Sequence, residues 1–475
     1  MEPDATRFKS QSAATLGNPA LRRNYFNATE GLRDKRKAAF AGIADGERLQ
    51  WIGQSIRAEA LARLPELLEE LEAKLISRGV QVHWAETTAA ANQIVLAIAR
   101  RRGVKSVIKG KSMVSEEMEL NHFLAEHGIE AIEADLGEFI VQLAGQTPVH
   151  IVVPAIHMNR QEIAELFRDK LGEPFTVDIP ELTALARRVL REKFQQAGMG
   201  ITGVNFAIAE TGTLALIENE GNGRMVSTVP PVHIALMGLE KVMPRLSDLP
   251  PLQRLLTRSA TGQAISTYFN WLTGPRRAGE KDGPEEVHLV ILDNGRSRIY
   301  GDPELRETLA CIRCGACINY CPVYRQAGGH AYGSPYPGPI GKILTPQFAG
   351  LGPAGHLAGV STLCGACYQV CPVKIPIPEL LLRLRQEGNQ PTEAGRTLVK
   401  GAGAKRTFGE AMVWKGWKVL HERPALYRLM TRLAVMAGAN VPGNIGPLKG
   451  WTRHRELPVP AGASLHRLLA GRPKE

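Results

Sequence analysis

Apolar and polar positions give the chain three different textures. Between about residues 60 and 295, short apolar runs alternate with helical patterns. Residues 106–109 read as a short buried strand ending in the turn Gly110-Lys111-Ser112, and a helix-like stretch follows over 115–126. Residues 129–133 and 150–154 predict further strands. Residues 161–170 and 179–195 predict helices, the second with an apolar side chain every three or four positions. Strand–helix alternation of this kind implies an α/β layer on a mainly parallel sheet. Beyond residue 298 the periodicity is helical, at 302–310 and 378–387 and again at 410–420 and 425–437 on either side of Pro424. The first 60 residues, with the charged stretch 31–37, also read as helices, without an assigned role.

The most distinctive part of the α/β region runs from Gly200 to Arg224. Two β-rich runs flank the turn Glu210-Thr211-Gly212, a polar loop Glu218-Asn219-Glu220-Gly221-Asn222 follows, and Arg224 precedes another apolar run toward His233. Polar loops at strand ends line the ligand crevice of a parallel α/β sheet, so Glu210, Asn219, Glu220, Asn222 and Arg224 are candidate lining. The plainer account is that Gly and Asn make turns there. His83 and His233 are lone histidines, more often satisfied in a core than ligands. Gly110-Lys111-Ser112 lacks the rest of a phosphate loop and reads as a turn with a helix-capping serine. Gly350 to Gly355 fits G-x-G-x-x-G but follows no strand. Neither H-E-x-x-H nor G-x-S-x-G occurs, so metalloprotease and serine-hydrolase chemistry have no support.

Composition changes the picture in two places. At 475 residues the chain is long enough for several domains, and no stretch reaches the roughly 20 apolar residues of a membrane span. Its N-terminal residues carry no signal-peptide pattern, so a cytoplasmic protein is expected. The net charge of +11 is concentrated in the tail, where residues 401–475 hold 13 Lys and Arg against 4 Asp and Glu. Such a block suits an acidic partner or an anionic surface. No nucleic-acid-binding motif accompanies it, so no nucleic-acid partner is expected.

The second change comes from cysteine. All seven lie between Cys311 and Cys371, an odd, clustered set that reads as metal ligation rather than disulfides. The run CIRCGACINYCP from Cys311 to Pro322 is C-x2-C-x2-C-x3-C-P, the spacing of bacterial ferredoxins. Three close thiolates on one tight loop reach three corners of a cubane, and the fourth, followed by Pro, faces a neighbouring cluster. Zinc ribbons use two separated pairs instead. Fifty residues on, STLCGACYQVCP runs from Ser361 to Pro372. With the fourth ligands exchanged, Cys311, Cys314, Cys317 and Cys371 hold one cluster, and Cys321, Cys364 and Cys367 the other. Two clusters, both [4Fe–4S], are expected. Ser361 stands where the repeat calls for an eighth cysteine. Three readings stay open: serine ligates weakly, the cluster has three irons, or one iron of four is free and could chelate a 2-hydroxy acid.

Taken together, GVNFAIAETGT over 203–213, NEGN over 219–222 and LCGACYQVCPVKI over 363–375 resemble the lactate utilization protein B family along nearly the whole chain. The resemblance implies a LUD domain, with an α/β sheet like that of sugar-phosphate isomerases and CoA-transferases, then a helical dicluster ferredoxin module and a basic helical C-terminal region. The expected division is a helical segment over 1–60, the LUD domain over 61–297, the ferredoxin module over 298–390 and the basic region over 391–475. Seven cysteines are usual in that family. Its members imply a cysteine-rich partner, a second LUD-domain partner and oxidation of L-lactate to pyruvate, with this chain as the electron-transfer component. A membrane-proximal acceptor could dock on the basic helices, or their apolar faces could pack on the ferredoxin module. The alternative makes the LUD domain itself catalytic on a hydroxy acid or phosphorylated substrate, with the clusters as electron sink.

Overall fold

Strands buried on both faces read as near-continuous apolar runs, and Val232–Gly238 and Glu286–Leu292 are of that kind. The computed structural model describes residues 3–389, 399, 408–438, 452, 465 and 469. Among them the strands are, in chain order, β1 (Gln81–Ala85), β2 (Ser106–Lys109), β3 (Glu130–Glu133), β4 (Met199–Gly203), β5 (Phe206–Ile208), β6 (Thr213–Glu218), β7 (Val232–Gly238), β8 (Val242–Met243), β9 (Tyr268–Leu272) and β10 (Glu286–Leu292). Six of them form a wholly parallel sheet in the order β1-β10-β7-β4-β2-β3. A smaller sheet, β8-β5-β6-β9, carries the antiparallel β5–β6 hairpin around the Glu210-Thr211-Gly212 turn. The α/β class read from the sequence is the observed one.

Local chemistry sets where helices begin. Ser112 accepts a hydrogen bond from the Ser115 amide and caps Met113–Glu117, the capping role expected of it. The helix expected over 115–126 is broken in two, because Glu119 takes a left-handed backbone (φ 50°) between Met113–Glu117 and Leu120–Glu126. Residues 302–310 hold a 3-10 helix, Leu305–Ala310, rather than a longer α-helix.

The segment 150–154, expected as a strand, is a folded loop. His150 explains the difference. Its Nδ1 accepts the amides of Val152 and Val153 (3.0 and 3.1 Å), Val149 N–H donates to the Pro154 carbonyl, and its Nε2 meets Asn319 at 3.1 Å. One imidazole thus supplies the partners that a sheet ladder supplies elsewhere.

Helix Asn222–Thr228 packs against β4 so closely that a Cβ on Gly200 would collide with the Val226 carbonyl oxygen. Gly200→Ala is expected to cost about 1–3 kcal/mol, read as a fall in the urea unfolding midpoint. An unchanged midpoint would show that this helix can shift freely.

The N-terminal helices, α1 (Ala5–Leu16), α2 (Pro19–Ala41) and α3 (Gly46–Ala62), acquire a clear role. They bracket the cysteine-rich region. Phe8 packs edge-on against Tyr332, the Tyr25 hydroxyl accepts the Gly329 amide, and Gln50 donates to the Cys371 carbonyl. Arg36 reaches the Val370 carbonyl at 2.9 Å.

The described residues up to 389 and those from 408 onward fall in two compact units. In the second, helices Phe408–Glu422 and Pro424–Gly438 match the predicted periodicity, and the His421 ring packs on Trp417 and Tyr427. Most of the remaining basic tail lies outside the described residues. Among the described residues no helix is long and apolar enough to cross a membrane.

Candidate functional site

The two cysteine runs fold alike. Arg313 and Gly315, on either side of Cys314, have left-handed backbones (φ 60° and 72°), and so do Leu363 and Gly365 around Cys364 (φ 52° and 79°). Each loop then enters a one-turn helix, Ala316–Asn319 or Ala366–Gln369. A left-handed residue on both sides of a cysteine turns successive N–H groups inward, the arrangement that stabilises bound anionic sulfur.

Hydrogen bonds to sulfur follow that geometry. The Arg313 amide donates to Cys311 Sγ at 3.4 Å, and the Ile375 amide to Cys371 Sγ at 3.3 Å. In the second loop the equivalent bond runs from the Leu363 amide to Ser361 Oγ at 3.2 Å. The serine oxygen therefore stands where the first loop has a sulfur.

The structure brings the runs together across the repeat. Cys321 of the first run, Ser361, Cys364 and Cys367 of the second, and Lys342 line one small cavity of about 20 Å³. Cys371 lies within electrostatic reach of Cys311 and Cys314. Burial pushes the thiol of Cys371 up to about 12 and that of Cys367 to about 11, so these groups stay protonated until metal displaces the proton. Cys364 is exposed, and the Ala366 amide holds its thiol below the ordinary value. Among the described residues no three His, Cys, Asp or Glu side chains close on a single ion. Ligands of a polynuclear cluster need not, since each sulfur takes a different iron. The donor set of thiols under inward N–H groups fits an iron–sulfur cluster.

Lys342 is a residue that motif reading misses. The helix Gly338–Ala349 buries it completely and sets its ammonium 3.5 Å from Cys321 Sγ, with the Tyr332 ring 5.9 Å away.

A larger cavity, about 440 Å³, opens at the C-terminal ends of β2, β3, β4 and β7. This is where parallel α/β sheets bind ligands, and the volume suits a small molecule. Lys111 and Ser112 follow β2, Asp135 follows β3, Thr202 and Asn205 flank the end of β4, and Glu240 and Lys241 follow β7. Of the five crevice candidates, Asn219, Glu220 and Asn222 line it, and Glu210 and Arg224 do not. Glu210 instead accepts the Leu246 amide at 2.9 Å, and Arg224 sits 5.3 Å from the Tyr268 ring centre. His83 and His233 also lie outside the lining. His83 meets His288 at 3.0 Å, and His233 meets Thr202 Oγ1 at 2.9 Å.

The cavity wall includes Arg313, from between the first two cysteines, and Tyr336. A buried network holds them. Arg313 donates to Glu240 Oε1 at 3.0 Å, Arg296 donates to Glu240 Oε2 at 2.7 Å and to Glu117 at 2.8 Å, and the Tyr336 hydroxyl donates to Glu117 at 2.8 Å. Burial alone drives the Glu240 carboxyl upward, but Arg296 and Arg313 outweigh it and hold the group at about 2. The first cysteine loop is thus fastened to the α/β sheet through ion pairs at the cavity wall.

These features define a protein that joins an α/β domain, with a cavity at its strand ends, to a two-motif iron–sulfur module. Residues 68–292 match the LUD domain, residues 307–375 the 4Fe-4S dicluster domain, and residues 383–474 the C-terminal domain of lactate utilisation protein B. Lactate utilization protein B of Bacillus velezensis is 42% identical over 467 residues, covering 97% of this chain and 96% of that protein. The Bacillus subtilis protein of the same name is 42% identical over 460 residues, covering 95% and 94%. That of Bacillus pumilus is 40% identical over 482 residues, covering 100% and 99%. The chain belongs to the lactate utilization protein B family.

Proposed function

We propose that this chain relays electrons in a cytoplasmic L-lactate oxidation system, from the cavity side of the α/β sheet through two clusters to the protein surface. The observation that carries this reading is the placement of the two cysteine loops. Arg313 of the first loop lines the cavity, whereas Cys364 of the second is exposed. A substrate-side site and a solvent-side site are what a carrier between a buried donor and an external acceptor requires. Cys311, Cys314, Cys317 and Cys371 would hold the cavity-side [4Fe–4S] cluster. Cys321, Cys364 and Cys367 would hold the other, with Ser361 Oγ as its weak fourth ligand. Bound clusters supply one-electron steps. The chain's own residues bury them, direct N–H groups at sulfur and place Lys342 beside Cys321.

The proposed partners are a cysteine-rich protein and a second LUD-domain protein. The test follows the visible absorbance of the anaerobic, cluster-loaded full chain. L-Lactate is expected to bleach it only when both partners are present. Bleaching by L-lactate alone would transfer catalysis to this chain's own LUD domain, and no bleaching with all components would overturn the relay.

Ser361→Cys checks the fourth ligand separately. Replacing an oxygen donor by thiolate is expected to slow chelator-driven loss of the second cluster severalfold, with iron content unchanged. Identical kinetics would mean that iron never meets residue 361.

A further inference from the structure

Two buried cations in the large cavity are incompletely partnered: Arg313 pairs with Glu240 and lies 4.9 Å from the Tyr336 ring centre, but one of its nitrogens is left over, and Lys241 is not paired. Lys241 is 8% exposed and lies at the end of the 3-10 helix Leu239–Lys241, which leaves the central strand β7 at its C-terminal edge. Among the described residues no hydrogen bond or ion pair holds its ammonium, although Glu240 precedes it and Arg313 and Cys311 lie within its field. Arg313 is also 8% exposed, and while its Nη2 donates to Glu240, its Nη1 has no hydrogen-bond partner. Both residues line the cavity, and each lies in the field of the other.

Two like charges buried side by side repel, and each free N–H carries its own desolvation cost. Glu240, the nearest carboxylate, is already shared between Arg296 and Arg313. The thiol of Cys311 also acts on both cations, so the first cluster would offset some of their charge. A sulfur ligand does not, however, place an oxygen acceptor inside the cavity. Of the other acidic lining residues, Glu218 ends β6 and is already bonded to the amides of Gly223 and Arg224, Glu220 follows it in the polar loop, and Asp135 caps the helix Leu136–Leu143. Asn219 and Glu220 of that loop are exposed. The cavity therefore has an acidic, solvent-side rim and a cationic floor beside the first cysteine loop.

We propose that Lys241 Nζ and Arg313 Nη1 form a carboxylate-binding subsite that takes a small organic acid and seats it against the first cluster. This deepens the relay reading, on which it rests for the identity of the neighbouring cluster. A carboxylate is the smallest group that brings one oxygen to each cation, and Arg presents the planar donor fork that suits it. The rest of the 440 Å³ is open to the acid's side chain.

Calorimetric titration of the cluster-loaded full chain with L-lactate, pyruvate and inorganic phosphate tests the subsite. Lactate or pyruvate is expected to bind at one site per chain, and Lys241→Met to weaken binding about tenfold or more. Arg224→Gln, outside the cavity, should leave affinity unchanged. A second readout uses the wild-type chain alone, so that it does not depend on a variant folding. Bound lactate should shield Lys241 from amine acylation followed by mass spectrometry, and leave the exposed Lys281 reactive. Absence of carboxylate binding, equal affinity in Lys241→Met, an unshielded Lys241, or binding of phosphate but not of either acid would each overturn the proposal. Binding and bleaching fail independently. Lactate bound without partner-dependent bleaching removes the relay and keeps the subsite; bleaching without binding removes the subsite and keeps the relay.

Discussion

Cys371→Ala is expected to strip the cavity-side cluster, and Cys321→Ala the surface-side one, each variant losing about half of the roughly eight irons that two [4Fe–4S] clusters carry. If each run served its own cluster, the assignments would be reversed. The placement of the side chains supports the exchanged pairing. Cys321 shares a small cavity with Ser361, Cys364 and Cys367, all of the second run. Cys371 lies in the field of Cys311 and Cys314 of the first run as well as of Cys367 in its own. Iron content alone does not say which cluster was lost, so Ser361→Cys serves as a label. Its effect on the electron paramagnetic resonance spectrum of the reduced protein should persist in Cys371→Ala and vanish in Cys321→Ala. The reverse pattern would sink the exchanged assignment. Loss of both clusters in both variants would show instead that the two assemble as a unit, with neither ligand set independent.

How much of this was legible in the sequence depends on the range of the interactions. The cysteine loops were readable because their ligand spacing is local, and the duplicated left-handed positions around Cys314 and Cys364 follow from that same short repeat. The parallel sheet was readable because short apolar runs such as β2 alternate with helical patterns along the chain. Residues 150–154 have the same apolar run, but a histidine at its start satisfies the backbone and makes a loop. Composition does not distinguish these outcomes. The crevice was half visible. Its polar loop at 218–222 announced itself, whereas Arg313 and Tyr336 reach the cavity from a module beginning 15 residues after β10. One signal was present and unread. Glu240 and Lys241 interrupt an otherwise apolar stretch from Ile234 to Met243, and charges inside a buried run mark a functional or fastening site.

Arg57 is the most consequential of these fastenings, and Arg57→Met is expected to lower stability by roughly 3–5 kcal/mol. The side chain is 2% exposed and comes from α3, yet none of its bonds is to that helix. Its guanidinium donates to the carbonyls of Glu240 (2.5 Å) and Val242 (3.1 Å) beyond β7, and to those of Leu309 (3.2 Å) and Ala310 (3.3 Å) just before Cys311. Burial lowers its pKa to about 10, so the group remains a cation at neutral pH. Methionine preserves much of the volume but leaves four carbonyls without that donor in a region closed to water. Lysine restores the charge and cannot reach four acceptors in a fixed plane, so Arg57→Lys should recover only part of the loss. Because two of the carbonyls lead directly into the first cysteine loop, the cavity-side cluster should also be lost faster to chelator than the surface-side one. Urea unfolding, with cluster absorbance followed in parallel, measures both effects. A midpoint unchanged in Arg57→Met would mean that the sheet and the cysteine loop are held together by the Glu240 ion pairs alone.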